Sequence, residues 1–182
     1  MITRSECEAA KKRAGEMIRE AGIGITDKEI AEISVVDLGL SDLENEGVQV
    51  ATFFNTKRIC MKIIALWPNQ TEPEHWHPAV DDDPGKEEVC RVIKGECRFY
   101  IAGEDTLKEG FIPKGKDSVY TLRHEVVCKP TDQIWFKPGE KHWFQAGPEG
   151  CVMYCISSCA RDLLDQFTDP GIDRDTKIDE SK

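Results

Sequence analysis

Several common features are missing from this 182-residue chain, and each absence removes a class of function. Positive charge is scarce: 24 Lys and Arg stand against 34 Asp and Glu, a formal net charge of −10. A surface of that sign repels phosphate backbones, which argues against a nucleic-acid partner. No apolar run approaches the roughly 18 residues of a membrane span. The opening MITRSECEAAKKRAGEM has no apolar signal core, so the expectation is a cytoplasmic protein that does not engage a membrane. No CxxC pair occurs among the eight cysteines, which excludes the zinc-knuckle and dithiol readings. Cys151, Cys155 and Cys159 recur every fourth residue, yet free thiols acting as small buried hydrophobes in a reducing cell account for all eight. There is no internal repeat and no low-complexity tract. Histidine is nearly absent too, with only His75, His77, His124 and His142.

The first 33 residues read as helical. Ser5 with Glu8 makes a capping box for a helix carrying Ala10, Ala14, Met17, Ile18 and Ala21, which Gly22 and Gly24 stop. Thr26 with Glu29 opens a second, shorter helix. From residue 34 to 172, short stretches rich in valine, isoleucine and aromatics alternate with turn residues, as in VQVATFF, RICMKIIALW, EEVCRVIKGECRFYIAG and CVMYCISS. That rhythm predicts an antiparallel all-β sandwich or barrel. KGE at 94–96 is a hairpin signal and PGE at 138–140 a turn signal. The polar tail 173–182 is expected to be disordered.

Two of the four histidines stand in PEHWHP, residues 73–78. On a strand, positions i and i+2 share a face, so His75 and His77 project together. Glu88 begins the next strand, and His142 follows the PGE turn. Three imidazoles and a carboxylate from three strands can meet inside a small barrel, a donor set suited to a divalent first-row metal. Glu87 is a rival for the carboxylate; Glu88 is preferred because it shares a face with Cys90 and Val92. Taken alone, HxH is as readily a pair of ordinary strand histidines, and His124 in LRHEVV is read as structural.

HxH, then Glu and Gly, then PG-x-x-H is similar to the two sequence motifs of the cupin superfamily. The fold this implies is a double-stranded β-helix, jelly-roll-like barrel behind the helical N-terminus. Ten residues separate His77 from Glu88, a longer gap than many cupins have. Together with NTKRICMK, HWFQAGPEG and FTDPGI, the stretch PEHWHPAVDDDPGKEE resembles the short D-lyxose isomerase family of cupins, from about Gly24 to Ile172. The resemblance implies a homodimeric, metal-dependent aldose–ketose isomerase acting on free sugars, D-lyxose with D-xylulose and D-mannose with D-fructose. It implies Mn²⁺ foremost; Zn²⁺, Fe²⁺, Co²⁺ or Ni²⁺ would also suit N/O donors.

Such chemistry needs a group that moves a proton between C1 and C2. Lys62, a charge in the apolar strand RICMKIIAL, is the first candidate, because burial lowers a lysine's pKa. Asp169 in FTDPGI is the expected carboxylate partner, and Asp before Pro is otherwise a turn starter. Glu74 and Lys86 flank the ligands and are candidate sugar contacts. Trp76 and Trp143 follow ligand histidines, so strict alternation turns them away from the metal; Gln145 is turned outward likewise. The rivals are an Fe(II) oxygenase, a phosphosugar isomerase, disfavoured by unclustered Arg58, Lys62, Arg91 and Arg98, and a non-catalytic sugar-binding module.

Overall fold

The computed structural model describes residues 1–180. The chain runs through β1 (Ile2–Thr3), α1 (Arg4–Glu20), α2 (Asp27–Ala31), β2 (Ser34–Val36), β3 (Val48–Asn55), β4 (Cys60–Leu66), β5 (Thr71–Trp76) and β6 (Glu88–Ile101). Then follow β7 (His124–Cys128), β8 (Gln133–Phe136), β9 (His142–Ser157), a 3-10 turn at Asp162–Leu164, β10 (Gln166–Phe167) and β11 (Ile178–Asp179). Nine strands form one curled antiparallel sheet, in the order β10-β5-β9-β4-β3-β2, with β6 joining β9 to both β7 and β8. This is the antiparallel all-β architecture that the rhythm of strand-like stretches and turns predicts, in the cupin form that the motif resemblance implies.

Two long strands carry the barrel. β9 pairs with β5 through its first half and with β4 through its second, while β6 runs beside β9 for most of its length. Inward positions of both contribute Cys90, Val92, Cys97, Phe99, Phe144, Ala146, Cys151, Met153 and Cys155 to one lumen core. The expected hairpin at KGE does not form. Gly95 instead sits in a β-bulge within β6, at φ +78, with its Cα so close to the facing strand that a Cβ would lie 2.0 Å from the Gly150 carbonyl oxygen. The positive φ that suggested a turn is used to bend a continuous strand, because β9 offers it a partner on both sides of the kink.

Helix α1 lies against the outer flank of the barrel. Its apolar stripe of Cys7, Ala10, Ala14 and Ile18 packs with Val35, Ala51, Ile63, Ala65 and Val152. Its capping box is Thr3 with Glu6, one pair earlier than the sequence signal Ser5–Glu8; Thr26 with Glu29 caps α2 as expected. Residues 173–180 of the tail are ordered. Asp173 N–H donates to the Leu38 carbonyl, and β11 pairs in parallel with β1. Its polar composition misled because backbone pairing, which needs no apolar side chain, holds it. Ser181 and Lys182, the end of the tail expected to be disordered, lie outside the described residues.

Candidate metal centre and active site

Two strand positions and the residue just past the end of β5 bring the histidines together. His75 on β5 faces His142 on β9 as direct cross-strand partners, and His77 lies two residues beyond His75. The ring centroids stand 4.4 Å (His75–His142), 5.1 Å (His75–His77) and 5.4 Å (His77–His142) apart, and one nitrogen of each ring lies within 4.8 Å of the others. All three are buried, at 3%, 3% and 0% exposure.

The outer nitrogens define which atoms point inward. His75 Nδ1 lies 2.8 Å from the Pro73 carbonyl oxygen and His142 Nδ1 lies 2.9 Å from that of Glu140. A carbonyl only accepts, so both rings carry hydrogen on Nδ1 and present a bare Nε2 to the lumen. His142 Nε2 is buried without a hydrogen-bond partner among the described residues. Burial, and then the neighbouring His77, lowers His75 to a pKa of about 4; burial likewise holds His142 well below the ordinary range. Both rings are therefore neutral at pH 7, as ligands must be. An orphaned, neutral Nε2 in a cluster of three is what a divalent ion would satisfy, so these residues fit a metal.

His77 differs. Its Nδ1 bonds Asp165 Oδ1 at 2.7 Å and its Nε2 lies 3.1 Å from Glu88 Oε2. Burial and Lys86 oppose protonation, but the carboxylates of Asp165 and Glu88 outweigh them and raise its pKa. Without an ion, a proton on Nε2 bridges His77 to Glu88. Glu88 also accepts from Lys86 Nζ at 3.0 Å and from the Cys155 thiol. Despite burial, Lys86 and His77 keep its carboxyl well below the usual carboxylate range. Glu87, by contrast, is exposed and takes the Trp135 indole N–H. Glu88, Cys90 and Cys155 also cluster, but the hydrogen bond with Cys90 and burial hold the Cys155 thiol well above its ordinary pKa, so it stays protonated.

A chain of charges extends from the histidines. Lys86 Nζ is 3.9 Å from Asp162 Oδ1, and Asp162 Oδ2 is ion-paired and hydrogen-bonded to Lys62 Nζ. Burial pushes the Asp162 carboxyl up, but Lys62 and Lys86 hold it below its ordinary value. Lys62 is 4% exposed and Lys86 8%. Asp162 thus links Lys62 to Lys86, Glu88 links Lys86 to His77, and Asp165 bonds the far nitrogen of His77; sequence reasoning missed both Asp162 and Asp165. Both lie in RDLLDQF, where an acidic residue reads as solvated surface; only the 3-10 turn at 162–164 swings them over the barrel mouth.

Two expectations need correction. Asp169 does not meet Lys62: its carboxylate bonds Lys116 Nζ at 3.1 Å and the Gly171 N–H at 2.8 Å. Glu74 does not face the histidines. It is 1% exposed on the opposite side of β5, where it accepts from the Thr121 and Leu122 N–H groups and the Thr121 and Thr168 hydroxyls. A carboxylate so fully bonded clamps loop 121–122 and residue 168 to the barrel and has no lone pair left for a sugar. Trp143 stacks on Tyr100, centroids 3.6 Å apart, under the same loop, and Gln145 bonds Thr71 and Phe111 there, so both face outward yet are covered. A cavity of about 340 Å³ between α1 and residues 41–44 shares no residue with this network.

No family model matches the chain. Among curated proteins it is 44% identical over 171 residues to the D-lyxose ketol-isomerase of Cohnella laeviribosi, covering 93% of this chain and 94% of that one. It is 40% identical over 181 residues to the D-lyxose/D-mannose isomerase of Thermosediminibacter oceani, covering 99% and 100%. Among solved structures, the ligand-free L-ribose isomerase of Cellulomonas parahominis matches with a TM-score of 0.82 over 98% of both chains at 15% identity, a likeness of fold.

Proposed function

The chain belongs to the D-lyxose ketol-isomerase family, and from that membership we propose that it interconverts D-lyxose with D-xylulose, and D-mannose with D-fructose, at a metal centre in the barrel lumen. That it is a sugar aldose–ketose isomerase follows from the family; the sugars, the metal and the residue roles are our reading. The observation that carries the reading is the convergence of the His75, His77 and His142 rings, the His142 Nε2 unpartnered, with Glu88 bonded to His77.

His75, His77, His142 and Glu88 would hold the ion, for which Mn²⁺ is proposed. When bound, a divalent ion supplies Lewis acidity to the sugar's carbonyl oxygen and lowers the cost of removing the C2 proton. The chain's own groups do the rest. Asp165 fixes the His77 tautomer, and the Pro73 and Glu140 carbonyls fix the other two rings. Lys62 and Asp162 form the proton-transfer pair, with Asp162 in the place the sequence offered to Asp169. The Asp162 carboxylate would take the proton from C2, one proton would pass from O2 to O1, Lys62 Nζ would deliver one to C1, and Asp162 would return its proton to Lys62 along their hydrogen bond. Lys86 tethers Asp162 to Glu88, placing the pair beside the ligands.

A homodimer is proposed as well. One outward row crosses five strands in register: Phe54, Met61, Ile156, Val89 and Trp135. Phe54, Ile156 and Trp135 are 43%, 51% and 53% exposed, an apolar band suited to a second copy. A cytoplasmic home is supported by eight free thiols; no helix among the described residues is long and apolar enough to cross a membrane.

The test is conversion of D-lyxose to D-xylulose by protein stripped with chelator and refilled with Mn²⁺. Ketose is expected only after refilling, and Lys62→Ala should keep the metal while losing kcat by orders of magnitude. Metal-loaded protein that converts neither lyxose nor mannose, or that consumes oxygen with Fe²⁺, would sink the reading.

A further inference from the structure

Among the described residues, the lumen holds a carboxyl, that of Glu72, which neither the metal centre nor the proton-transfer pair uses. Glu72 faces Phe144 across the β5–β9 pairing, and Phe144 belongs to the lumen core. Strict alternation would put Glu72 and His75, three residues apart, on opposite faces. The register shift between them turns both inward, so the bulge in β5 serves to aim Glu72 into the same lumen as the histidines.

Glu72 is 7% exposed, and its carboxyl makes no hydrogen bond or ion pair among the described residues. The charges that reach it do so from a distance: Arg174 first, then Lys86, Asp165 and Glu88. Arg174 comes from the C-terminal strap and buries its Nε with no hydrogen-bond partner among the described residues. Burying polar groups without partners costs stability, and an apolar side chain of similar size would pack against Phe144 at no such cost. No hydrogen bond among the described residues offsets the burial of the Glu72 carboxyl or the Arg174 Nε, whereas an open-chain sugar would bring several hydroxyls that both donate and accept.

We propose that Glu72 is a specificity-determining residue, whose carboxyl, with the Arg174 guanidinium near it, binds sugar hydroxyls remote from the two carbons that exchange hydrogen. This rests on the isomerase reading of the same lumen. Burial raises the carboxyl to a pKa of about 7, so much of it is protonated at neutral pH and able to donate as well as accept. The position fits a remote contact: the cross-strand partners of Glu72 and His75, Phe144 and His142, stand two residues apart, roughly 7 Å along β9 at the usual rise.

The experiment compares wild type, Glu72→Gln and Glu72→Leu, all loaded with Mn²⁺, for kinetics on D-lyxose and for calorimetric binding of xylitol, a polyol that cannot isomerise. Glu72→Leu should raise KM tenfold or more with kcat within threefold, and should weaken xylitol binding to the same degree. Glu72→Gln, which keeps a donor and an acceptor, should stay within threefold of wild type in both. Unchanged KM and xylitol affinity in Glu72→Leu would overturn the proposal, as would a collapse of kcat in both variants at constant KM, which marks a proton-transfer group. A wild type that converts no sugar refutes the isomerase reading separately. Xylitol binding still decides the role of Glu72 then: loss in Glu72→Leu and retention in Glu72→Gln sustain polyol recognition, and equal affinity in all three removes it.

Discussion

The nitrogen that faces away from the lumen decides what each histidine can do. His75 and His142 are held by carbonyls and enter as neutral ligands, whereas His77 is held by Asp165 and, without an ion, keeps a proton toward Glu88. Removing the charge behind His77 should therefore weaken the metal more than the fold. Asp165→Asn is expected to lower Mn²⁺ affinity by roughly 10–100-fold, with activity recovering at high metal concentration. Metal titration followed by ketose formation checks both halves. Glu72 makes a second residue-scale prediction. Its folded pKa of about 7 exceeds the ordinary 4.5, so between those values the folded chain holds a proton that the unfolded chain has released. Stability contributed by that proton is complete below about pH 4.5 and falls as pH rises to about 7, by at most ~3 kcal/mol. Glu72→Gln should then melt about 5 °C or more above wild type at pH 8 but not at pH 4.5, in chelator, by calorimetry. Parallel melting curves at both pH values would show that Glu72 titrates normally.

Among elements, the long strands β6 and β9 are what let a sheet become a barrel with a site inside. Each changes partner partway along, and the change is made at bulges containing Gly95 and Gly150, both at φ +78. An alanine at 95 would suffer positive φ and drive its Cβ to 2.0 Å from the Gly150 carbonyl oxygen. Gly95→Ala is expected to cost about 2–4 kcal/mol, read as a lower denaturation midpoint. A loss under 1 kcal/mol would mean that the bulge relaxes freely. The shared direction of His75 and His77, the face that Glu88 shares with Cys90 and Val92, and the outward turn of Trp143 could all be read from period-two alternation. The bulges could not, because glycine marks a turn and a bulge with the same conformational freedom.

Across the whole molecule, one flank of the barrel is covered by α1 and another carries the registered row Phe54, Met61, Ile156, Val89 and Trp135, of which Phe54, Ile156 and Trp135 are exposed. If that row seats a second copy, a charge at its centre should separate the subunits without disturbing the lumen, since Ile156 points away from it. Ile156→Glu is expected to sediment as a monomer where wild type sediments as a dimer. An unchanged dimer would place the interface elsewhere, and a wild-type monomer would remove it. The termini show the same scale of organisation: β1 and β11 pair although 176 positions separate Ile2 from Ile178, which ties the strap carrying Arg174 to the start of the chain.

The sequence by itself determined the strand periodicity, the shared face of His75 and His77, the motif order that leads to His142, and the resemblance that names the family. These are legible because they depend on neighbours a few residues apart, or on spacing. The partners of charged groups were decided only by the tertiary structure. Lys62 pairs with Asp162 and Asp169 with Lys116, while Glu74 is spent on loop 121–122 and Thr168. An ion pair forms wherever the folded chain brings opposite charges within a few ångströms, and 100 positions of sequence between Lys62 and Asp162 carry no trace of that distance.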